Sequence, residues 1–477
     1  MTTTVTSLGA FPSSNGGGGD APPYVLPPAT NSKLGGVIPG ANLTITPEGV
    51  LNAPAPSSGG STGKPKILQN IATRCRPNGG INATFPFAWS RTMHINRGDS
   101  VESVQLVFAH WGASYQGETT VAADLSIACS IEYPMGVYYQ GLWNGTALGI
   151  INPGKNGTSD PISVAIPKGA TFWVRTWQNC ASGTWGSSAA ALQRNAPAIG
   201  SPSMQCIETA RYGTTAADTY DATVIAGSGA LAINGFGPAG TNANGFFPLA
   251  VLGMSSVESV LVVGDSRNSG KQDSASANMG YLGIGEICRS LDYTNPYCNA
   301  GFDTDQAATF VANSTYRKTM GAFHSAVHSE YAINDLTFGR TVAQLQASQQ
   351  AIFAMFPGKL YSLSTCTPKT TSTNGWIDQD GQTVTNGGNE SQRPVYNTWV
   401  RSKPLGVTAI FDVAAVVESP VNVGKWKTPD GDTYTNRANV VVPVTAPLTG
   451  DGTHEAPYGY GVIQKSPAID GRLLVAA

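Results

Sequence analysis

The stretch SVESVLVVGDS, residues 256–266, decides the fold of the C-terminal half of this chain. Its apolar run VLVV, residues 260–263, is typical of a strand buried on both faces of a parallel sheet. The run leads directly into Gly264-Asp265-Ser266. In open sheets of this kind, ligands bind at the carboxyl ends of the strands, so we expect this triplet to lie at a functional site.

Segments of alternating strand and helix character follow this first strand. Residues 341–356 carry apolar side chains at helical spacing and stop at Pro357-Gly358. Three further short strands are predicted within residues 328–335, 359–365 and 406–412. Strands that alternate with helices predict an α/β/α domain with a parallel sheet, which we assign to residues 251–477.

The middle of the chain, residues 65–250, has a different pattern. Alternating segments rich in β-branched and aromatic residues are separated by Gly, Pro and Asn, and they occupy residues 100–111, 124–133, 160–177 and 221–235. This pattern predicts an all-β sandwich of jelly-roll type. Its aromatic residues leave two alternatives open, packing within the fold or a sugar-stacking surface; they are Trp111, Tyr138, Tyr139, Trp143, Trp173 and Trp177.

The N-terminal residues 1–64 form a third region, and their composition predicts no core. Residues 1–23 and 54–64 consist mainly of Thr, Ser, Gly and Pro, which favours flexible linkers. Residues 34–53, between the linkers, resemble a short element of phage tail-fibre and other virion appendage proteins. That resemblance implies attachment to virion structural proteins through residues 1–64; the alternative is an ordinary hairpin around a Pro-Glu-Gly turn.

Composition excludes several classes of function. Only 12% of the 477 residues are charged, the net charge is −2 and the pI is about 6.2, so no electrostatic case exists for nucleic acid or an anionic membrane. No run approaches eighteen apolar residues, and the N-terminus lacks the pattern of a secretory signal. We therefore predict neither a nucleic-acid nor a membrane partner. We also predict no signal peptide and assembly in the host cytoplasm.

The seven cysteines predict mostly buried free thiols. Their number is odd, and they show neither a CxxC pair nor ligand-type spacing. The alternative is one disulfide among Cys75, Cys129, Cys180 and Cys206.

Four short motifs carry candidate chemistry. Gly264-Asp265-Ser266 follows the first strand, Gly301 precedes an Ala-rich segment in a predicted loop, and Asn334 precedes Asp335. Near the end of the chain, Asp451 and His454 are three residues apart. Each motif alone has an ordinary alternative, since Asp-Ser and Asn-Asp are also helix caps and a D-x-x-H pair can bind metal.

Taken in order, these motifs resemble the four sequence blocks of the SGNH (GDSL-type) hydrolase family over roughly residues 250–477. The resemblance implies that Ser266 is the nucleophile and that His454, oriented by Asp451, is its base. It also implies an oxyanion hole formed by the Ser266 amide, the Gly301 amide and the Asn334 side chain. Two positions depart from the family pattern: Ala332 stands in place of a glycine and Arg267 in place of a leucine.

The family resemblance implies a serine esterase that needs no metal or other cofactor. His94 and His110 lie outside the proposed crevice, and His324 and His328 are expected to be structural. The predicted closing helix after His454 is short or distorted, because PYGYGVIQKSPAIDGRLL is poor helix material.

The expected role is removal of O-acetyl groups from a bacterial surface polysaccharide by a phage particle, which places the chain in the virion. The first alternative is a non-enzymatic virion structural or receptor-binding protein with an inactive hydrolase domain, and the second is a bacterial esterase without a virion. The expected partners are an acylated carbohydrate, virion proteins and further copies of this chain in a homo-oligomer, although no heptad or collagen-like repeat supports a trimer.

Overall fold

A computed structural model describes residues 44–45, 51–52, 64–186, 209–213, 245–273, 284–421 and 423–474. The chain divides into two compact units, Met1–Gly63 and Lys64–Ala477. In the first unit, Thr44–Ile45 pairs antiparallel with Leu51–Asn52. The strand predicted at residues 221–235 and the predicted N-terminal linkers lie outside the described residues, apart from Lys64 at the linker's end.

Two antiparallel sheets form the framework of the described residues between 64 and 255. One has the strand order Tyr138–Gly141, Leu125–Glu132, Thr171–Asn179, Phe87–Ile95 and Thr209–Gly213, with Gly149–Ile151 also paired to Leu125–Glu132. The other has the order Asn156–Thr158, Val101–Ala109, Ala250–Ser255 and Ile67–Asn70, with Ile162–Ile166 also paired to Val101–Ala109. Apolar side chains of both sheets share one hydrophobic core. The described residues of this region form strands and no helix, and the jelly-roll connectivity stays a prediction.

Short two-stranded antiparallel sheets also occur among the described residues of the second unit. Four two-stranded sheets pair Gly80–Asn82 with Thr184–Gly186, Gly112–Ser114 with Gly117–Thr119, Thr370–Ser372 with Gln382–Val384, and Thr433–Thr435 with Val441–Pro443.

The predicted parallel sheet is present downstream of residue 255. Its five strands lie in the order Tyr297–Gly301, Val260–Gly264, Ala326–Glu330, Leu360–Ser364 and Ala409–Phe411, and all four pairings are parallel. The first strand in sequence therefore has the second on one side and the third on the other. The chain crosses in opposite directions from this strand, which makes its carboxyl end the topological switch point where ligands bind.

Eight α-helices and three 3₁₀ helices accompany the sheets within the described ranges. The α-helices are Ser266–Ser269, Cys288–Leu291, Ala307–Asn313, Ile333–Thr337, Val342–Met355, Arg393–Arg401, Val413–Val417 and Pro457–Lys465, and the 3₁₀ helices are Arg317–Phe323, Glu390–Gln392 and Gly471–Leu473. The helix predicted at residues 341–356 is confirmed, and Thr341 and Gln344 form a capping box at its start. The closing helix has nine residues and begins with Pro457, whose missing N–H costs nothing in a first turn.

The antiparallel and parallel regions are joined through an edge of the parallel sheet. The Tyr297 backbone N–H donates to the Ala72 carbonyl at 3.0 Å, and the Asn299 N–H donates to the Cys75 carbonyl at 2.8 Å. Ala250–Ser255, the strand at the predicted domain boundary, belongs to an antiparallel sheet. Lys64–Ala477 is accordingly one compact unit.

Burial decides between the alternatives for the aromatic residues and the cysteines. Trp111, Trp143, Trp173 and Trp177 are buried, which favours packing within the fold over a sugar-stacking surface at these positions. The six described cysteines are free and buried, as predicted, and Cys206 lies outside the described residues.

Candidate active site

Ser266 lies at the switch point, directly after the strand Val260–Gly264 and Asp265. Asp265 caps the helix Ser266–Ser269, because its carboxylate accepts a hydrogen bond from the Arg267 backbone N–H at 3.1 Å. Ser266 is the first residue of that helix, so its own N–H has no intrahelical acceptor. Ser266 is 6% exposed, and it presents its hydroxyl and its N–H at the carboxyl end of the strand Val260–Gly264.

Three of the predicted site residues form one chain of hydrogen bonds. Ser266 Oγ lies 2.8 Å from His454 Nε2, and His454 Nδ1 lies 2.7 Å from Asp451 Oδ2. An ionised carboxylate accepts only, so Nδ1 carries the ring proton and Nε2 is left as the acceptor for the serine hydroxyl. The arrangement is that of a nucleophile, a base and a group that orients the base.

A tight turn brings Asp451 and His454 together. Asp451 Oδ1 accepts from the backbone N–H groups of Thr453 and His454, at 2.8 Å each. Gly452 within the turn has φ 79°, and a Cβ there would come within 1.7 Å of the Thr370 carbonyl oxygen. Only glycine fits this position, so the turn geometry is fixed by the sequence.

The electrostatics of Asp451 keep it ionised. Burial raises the pKa of this carboxyl, but hydrogen bonds from the His454 side chain and from the His454 and Thr453 N–H groups outweigh burial and bring the pKa to about 2. Gln272, which sequence reasoning did not identify, also donates to Asp451 Oδ2, at 2.6 Å. Asp451 is therefore charged at neutral pH and can stabilise a protonated His454.

Asn334 lies in the helix Ile333–Thr337, just beyond the strand Ala326–Glu330. One N–H of its amide donates to the Asp305 carbonyl at 3.1 Å. Because an amide nitrogen carries two donors, the second N–H remains for a substrate oxygen. This geometry is compatible with the predicted oxyanion role of the side chain.

Gly301 departs from prediction. It is the last residue of the strand Tyr297–Gly301 and not part of a loop, and its backbone N–H donates to Asn299 Oδ1 at 3.0 Å. That hydrogen bond conflicts with the predicted oxyanion role of the Gly301 amide. The glycine is needed for another reason: a Cβ at this position would come within 2.7 Å of Asn268 Cβ. Asn268 belongs to the helix Ser266–Ser269, which we call the nucleophile helix after its predicted nucleophile.

A buried ionic cluster beneath the nucleophile was not anticipated. Arg267 Nη2 lies 2.7 Å from Glu330 Oε1, and Arg267 Nε lies 3.4 Å from Asp265 Oδ1 and 3.9 Å from Glu286 Oε2. Burial raises the pKa of Glu286 to about 7 and that of Glu455 to about 8, and it also raises the pKa of Glu330. One guanidinium thus faces several buried carboxyl groups, some of which stay protonated at neutral pH. The only sequence signal was Arg267 itself, at a position where leucine is usual.

The other four histidines are buried inside the fold. Burial lowers the pKa of His94, His324 and His328 to about 3 and also lowers the pKa of His110. His324 bonds to Ser259 Oγ and His328 to Ser362 Oγ, at 2.8 and 2.9 Å. These contacts support the structural role expected of His324 and His328.

Two searches over the described residues found nothing. In that part of the chain, no group of three or more His, Cys, Asp or Glu side chains could hold a metal ion. Across the same ranges, no helix is both long enough and apolar enough to cross a membrane.

No protein-family model and no curated protein matches the chain. Solved structures to which it is similar include an acetyl xylan esterase from Geobacillus stearothermophilus, 13% identical, covering 46% of this chain and 97% of that one, with a TM-score of 0.29. A lipase/acylhydrolase from Enterococcus faecalis is 15% identical, covering 43% and 91%, with a TM-score of 0.29. A family 3 carbohydrate esterase from Clostridium thermocellum is 13% identical, covering 43% and 91%, with a TM-score of 0.27.

Proposed function

We propose that this chain is a serine esterase that works through an acyl-enzyme. One observation carries the proposal: Ser266, His454 and Asp451 form a continuous hydrogen-bonded chain of 2.8 and 2.7 Å at the switch point of a parallel sheet. Serine is a weak nucleophile until an adjacent base takes its proton, and this arrangement supplies that base.

The reaction begins when Ser266 Oγ bonds to the ester carbonyl carbon and its proton passes to His454 Nε2. Asp451 stabilises the imidazolium while the carbonyl oxygen carries the negative charge. The Ser266 N–H and the second N–H of Asn334 are the donors we assign to that oxygen. The bond to the alcohol oxygen then breaks, the Nε2 proton passes to that oxygen, and the alcohol leaves the acylated serine.

Water completes the cycle by the same route. His454 takes a proton from water as the oxygen bonds to the acyl carbon, and the proton returns to Ser266 Oγ as the acyl–serine bond breaks. The products are a carboxylic acid and the free enzyme. Every proton transfer uses Nε2, which is why the second ring nitrogen must stay fixed on Asp451.

The experiment that tests this proposal is hydrolysis of 4-nitrophenyl acetate by the full chain and by Ser266→Ala. The variant should lose activity by several orders of magnitude, because the substitution removes the nucleophilic hydroxyl but hardly changes the packing around it. Ser348→Ala, on the outer helix Val342–Met355, is the matched control and should retain full activity. Retention of more than about a tenth of the activity by Ser266→Ala would overturn the proposal.

For the biological substrate we propose O-acetyl groups of a bacterial surface polysaccharide, removed by a phage virion appendage. The low charge of the chain and the resemblance of residues 34–53 to virion attachment elements support this setting. Immunogold labelling of phage particles with antibodies to residues 64–477 tests it, and labelling confined to the host cytoplasm would contradict it.

A further inference from the structure

A cavity of about 540 Å³ lies beside the nucleophile helix. One wall belongs to the antiparallel region and includes residues from 76 to 83 and from 113 to 115. The opposite wall belongs to the parallel region and includes Ser269, Asn299 and residues 301–303. Its volume is within the range of small-ligand sites.

The cavity and the proposed active site share one helix, because Ser269 of the cavity wall ends the helix that begins with Ser266. Ser269 Oγ donates to the Ser266 carbonyl at 3.0 Å, and Arg76 Nη2 donates to the Ser269 carbonyl at 3.4 Å. On the same wall as Ser269, residues 301–303 lead to Asp305, whose carbonyl accepts from the Asn334 side chain at 3.1 Å. Ser266 and Ser269 are about one helical turn apart, so a substrate bonded to Ser266 has to span about that distance to enter the cavity.

The lining has no surplus charge among the described residues. Its anion, Asp303, forms an ion pair with Lys271 at 3.2 Å. Its cation, Arg76, is buried and is held by the Ser269 carbonyl. With one cation and one anion the lining carries no net charge, so it suits a ligand without net charge.

The polar and aromatic groups narrow the ligand class further. The Tyr115 ring is 46% exposed at the cavity wall, and the Asn82 amide and several glycine backbones lie close by. An aromatic ring beside amide and main-chain groups suits a sugar, which has an apolar C–H face and polar hydroxyls at its rim. A long acyl chain would instead need a continuous apolar lining.

We propose that this cavity binds the neutral sugar units adjacent to the one that carries the ester. The inference rests on the proposed esterase function and extends it, because it makes the antiparallel region a part of substrate recognition. Tyr115 stacks on one sugar unit, and the nucleophile helix aligns the neighbouring unit with Ser266.

Two variants test the cavity without touching the catalytic residues. Gly80→Trp fills it: a Cβ at Gly80 meets nothing within 4 Å, and the residue is outside the left-handed region. Tyr115→Ala removes the ring. Tyr293→Ala, a tyrosine of similar exposure at 45% and outside the lining, is the matched control.

Kinetics of the full chain would be measured on 4-nitrophenyl acetate and on chemically O-acetylated xylo-, gluco- and galacto-oligosaccharides of increasing length. In at least one series, KM should fall as the chain lengthens. Both cavity variants should raise KM for the long members by about tenfold, with kcat and 4-nitrophenyl acetate hydrolysis unchanged. The control should behave as the wild type.

The remaining outcomes separate the two proposals. KM independent of length in every series, or equal losses on 4-nitrophenyl acetate, overturns the cavity proposal alone. The alternative outcome is a KM that falls on 4-nitrophenyl esters of increasing acyl length. If it falls only in that series, and Gly80→Trp removes the fall, the cavity is an acyl site and the sugar proposal is overturned. If no ester is cleaved, the esterase proposal fails, and calorimetry with the unacetylated oligosaccharides decides the cavity: binding that Gly80→Trp abolishes supports it, and no binding overturns it.

Discussion

At the residue scale, the proposed chemistry depends on two hydrogen bonds made by one imidazole ring. His454 reaches Ser266 with Nε2 and Asp451 with Nδ1, so ring orientation and proton position are set by the same pair of contacts. Asp451 is held in turn by backbone N–H groups and by Gln272. Substitution of His454 should therefore reduce activity most, substitution of Asp451 less, and substitution of Gln272 least.

The first prediction concerns that order. His454→Ala should reduce kcat by about 10³-fold or more, and Asp451→Ala should be severe but milder, because the ring remains available without its orienting partner. Gln272→Ala is the control, since it removes a partner of Asp451 but no contact to the ring. Measured kcat values for 4-nitrophenyl acetate would contradict the assignment if Gln272→Ala were as damaging as Asp451→Ala.

The second prediction concerns the pH dependence of activity. The pKa of Asp451 is about 2, so this carboxylate is already ionised throughout the range from pH 4 upward. The base must be neutral to accept the serine proton, so kcat/KM should rise with pH through a single ionisation. A profile of kcat/KM that is flat between about pH 5 and pH 8 would count against a histidine base.

At the scale of elements, the nucleophile helix is too short to be stable by itself. Four residues form barely one turn, and nucleating a turn is unfavourable. Asp265 caps its start, Gly270 ends it, and Arg267 anchors it to the buried carboxyl groups beneath the sheet edge. The helix is thus positioned by its surroundings, and those surroundings are ionisable.

The third prediction concerns stability and pH. The pKa of Glu455 rises from 4.5 in the unfolded chain to about 8 in the fold, so the folded state binds more protons over this interval. The free energy of unfolding should therefore fall as pH increases through this window. The buried histidines act in the opposite sense below about pH 6.5, so the fall should be clearest between about pH 6.5 and 8.

Urea denaturation at several pH values would measure this fall. Glu455→Gln, which mimics the protonated carboxyl, should make the dependence shallower. Glu102→Gln is the control, because that side chain is exposed and should leave the slope unchanged. A wild-type stability that rises from pH 6.5 to pH 8 would show that the cluster is ionised in the fold.

At the scale of the whole molecule, catalytic residues and cavity walls come from distant parts of one compact unit. The antiparallel region contributes residues 76–83 and 113–115 to the cavity, and the parallel region contributes the triad. Lys64 begins this unit and forms an ion pair with Glu258. Residues 1–63 belong to the other unit.

The fourth prediction is that a truncated chain starting at Lys64 keeps its esterase activity and thermal stability but no longer joins its particle or partner. The N-terminal segment has too little apolar surface for a core of its own, so it should become ordered only by pairing with another protein. Activity, melting temperature and incorporation into particles would be measured side by side. Unfolding of the truncated chain, or its normal incorporation, would show that residues 1–63 are not an attachment device.

The sequence by itself predicted the parallel sheet and singled out Ser266, Asp451 and His454, which the structure joins by hydrogen bonds. The continuous apolar run at residues 260–263 predicts the sheet, because a strand buried on both faces must be apolar throughout. Local patterns alone do not identify Ser266, Asp451 and His454, because each of their motifs also has an ordinary structural explanation. The order of the motifs along the chain, which resembles the four blocks of the SGNH (GDSL-type) hydrolase family, is what identifies these residues.

Only the tertiary structure decided the remaining features, because they depend on contacts between residues far apart in the chain. Gly301 looked like an oxyanion donor, yet its N–H is taken by Asn299 and its missing side chain lets the nucleophile helix approach. The carboxyl groups around Arg267 come from segments nearly 200 residues apart, and no local pattern predicts their shared burial. The cavity likewise exists only because residues 72–75 pair with the edge of the parallel sheet, which brings the antiparallel region against the proposed active site.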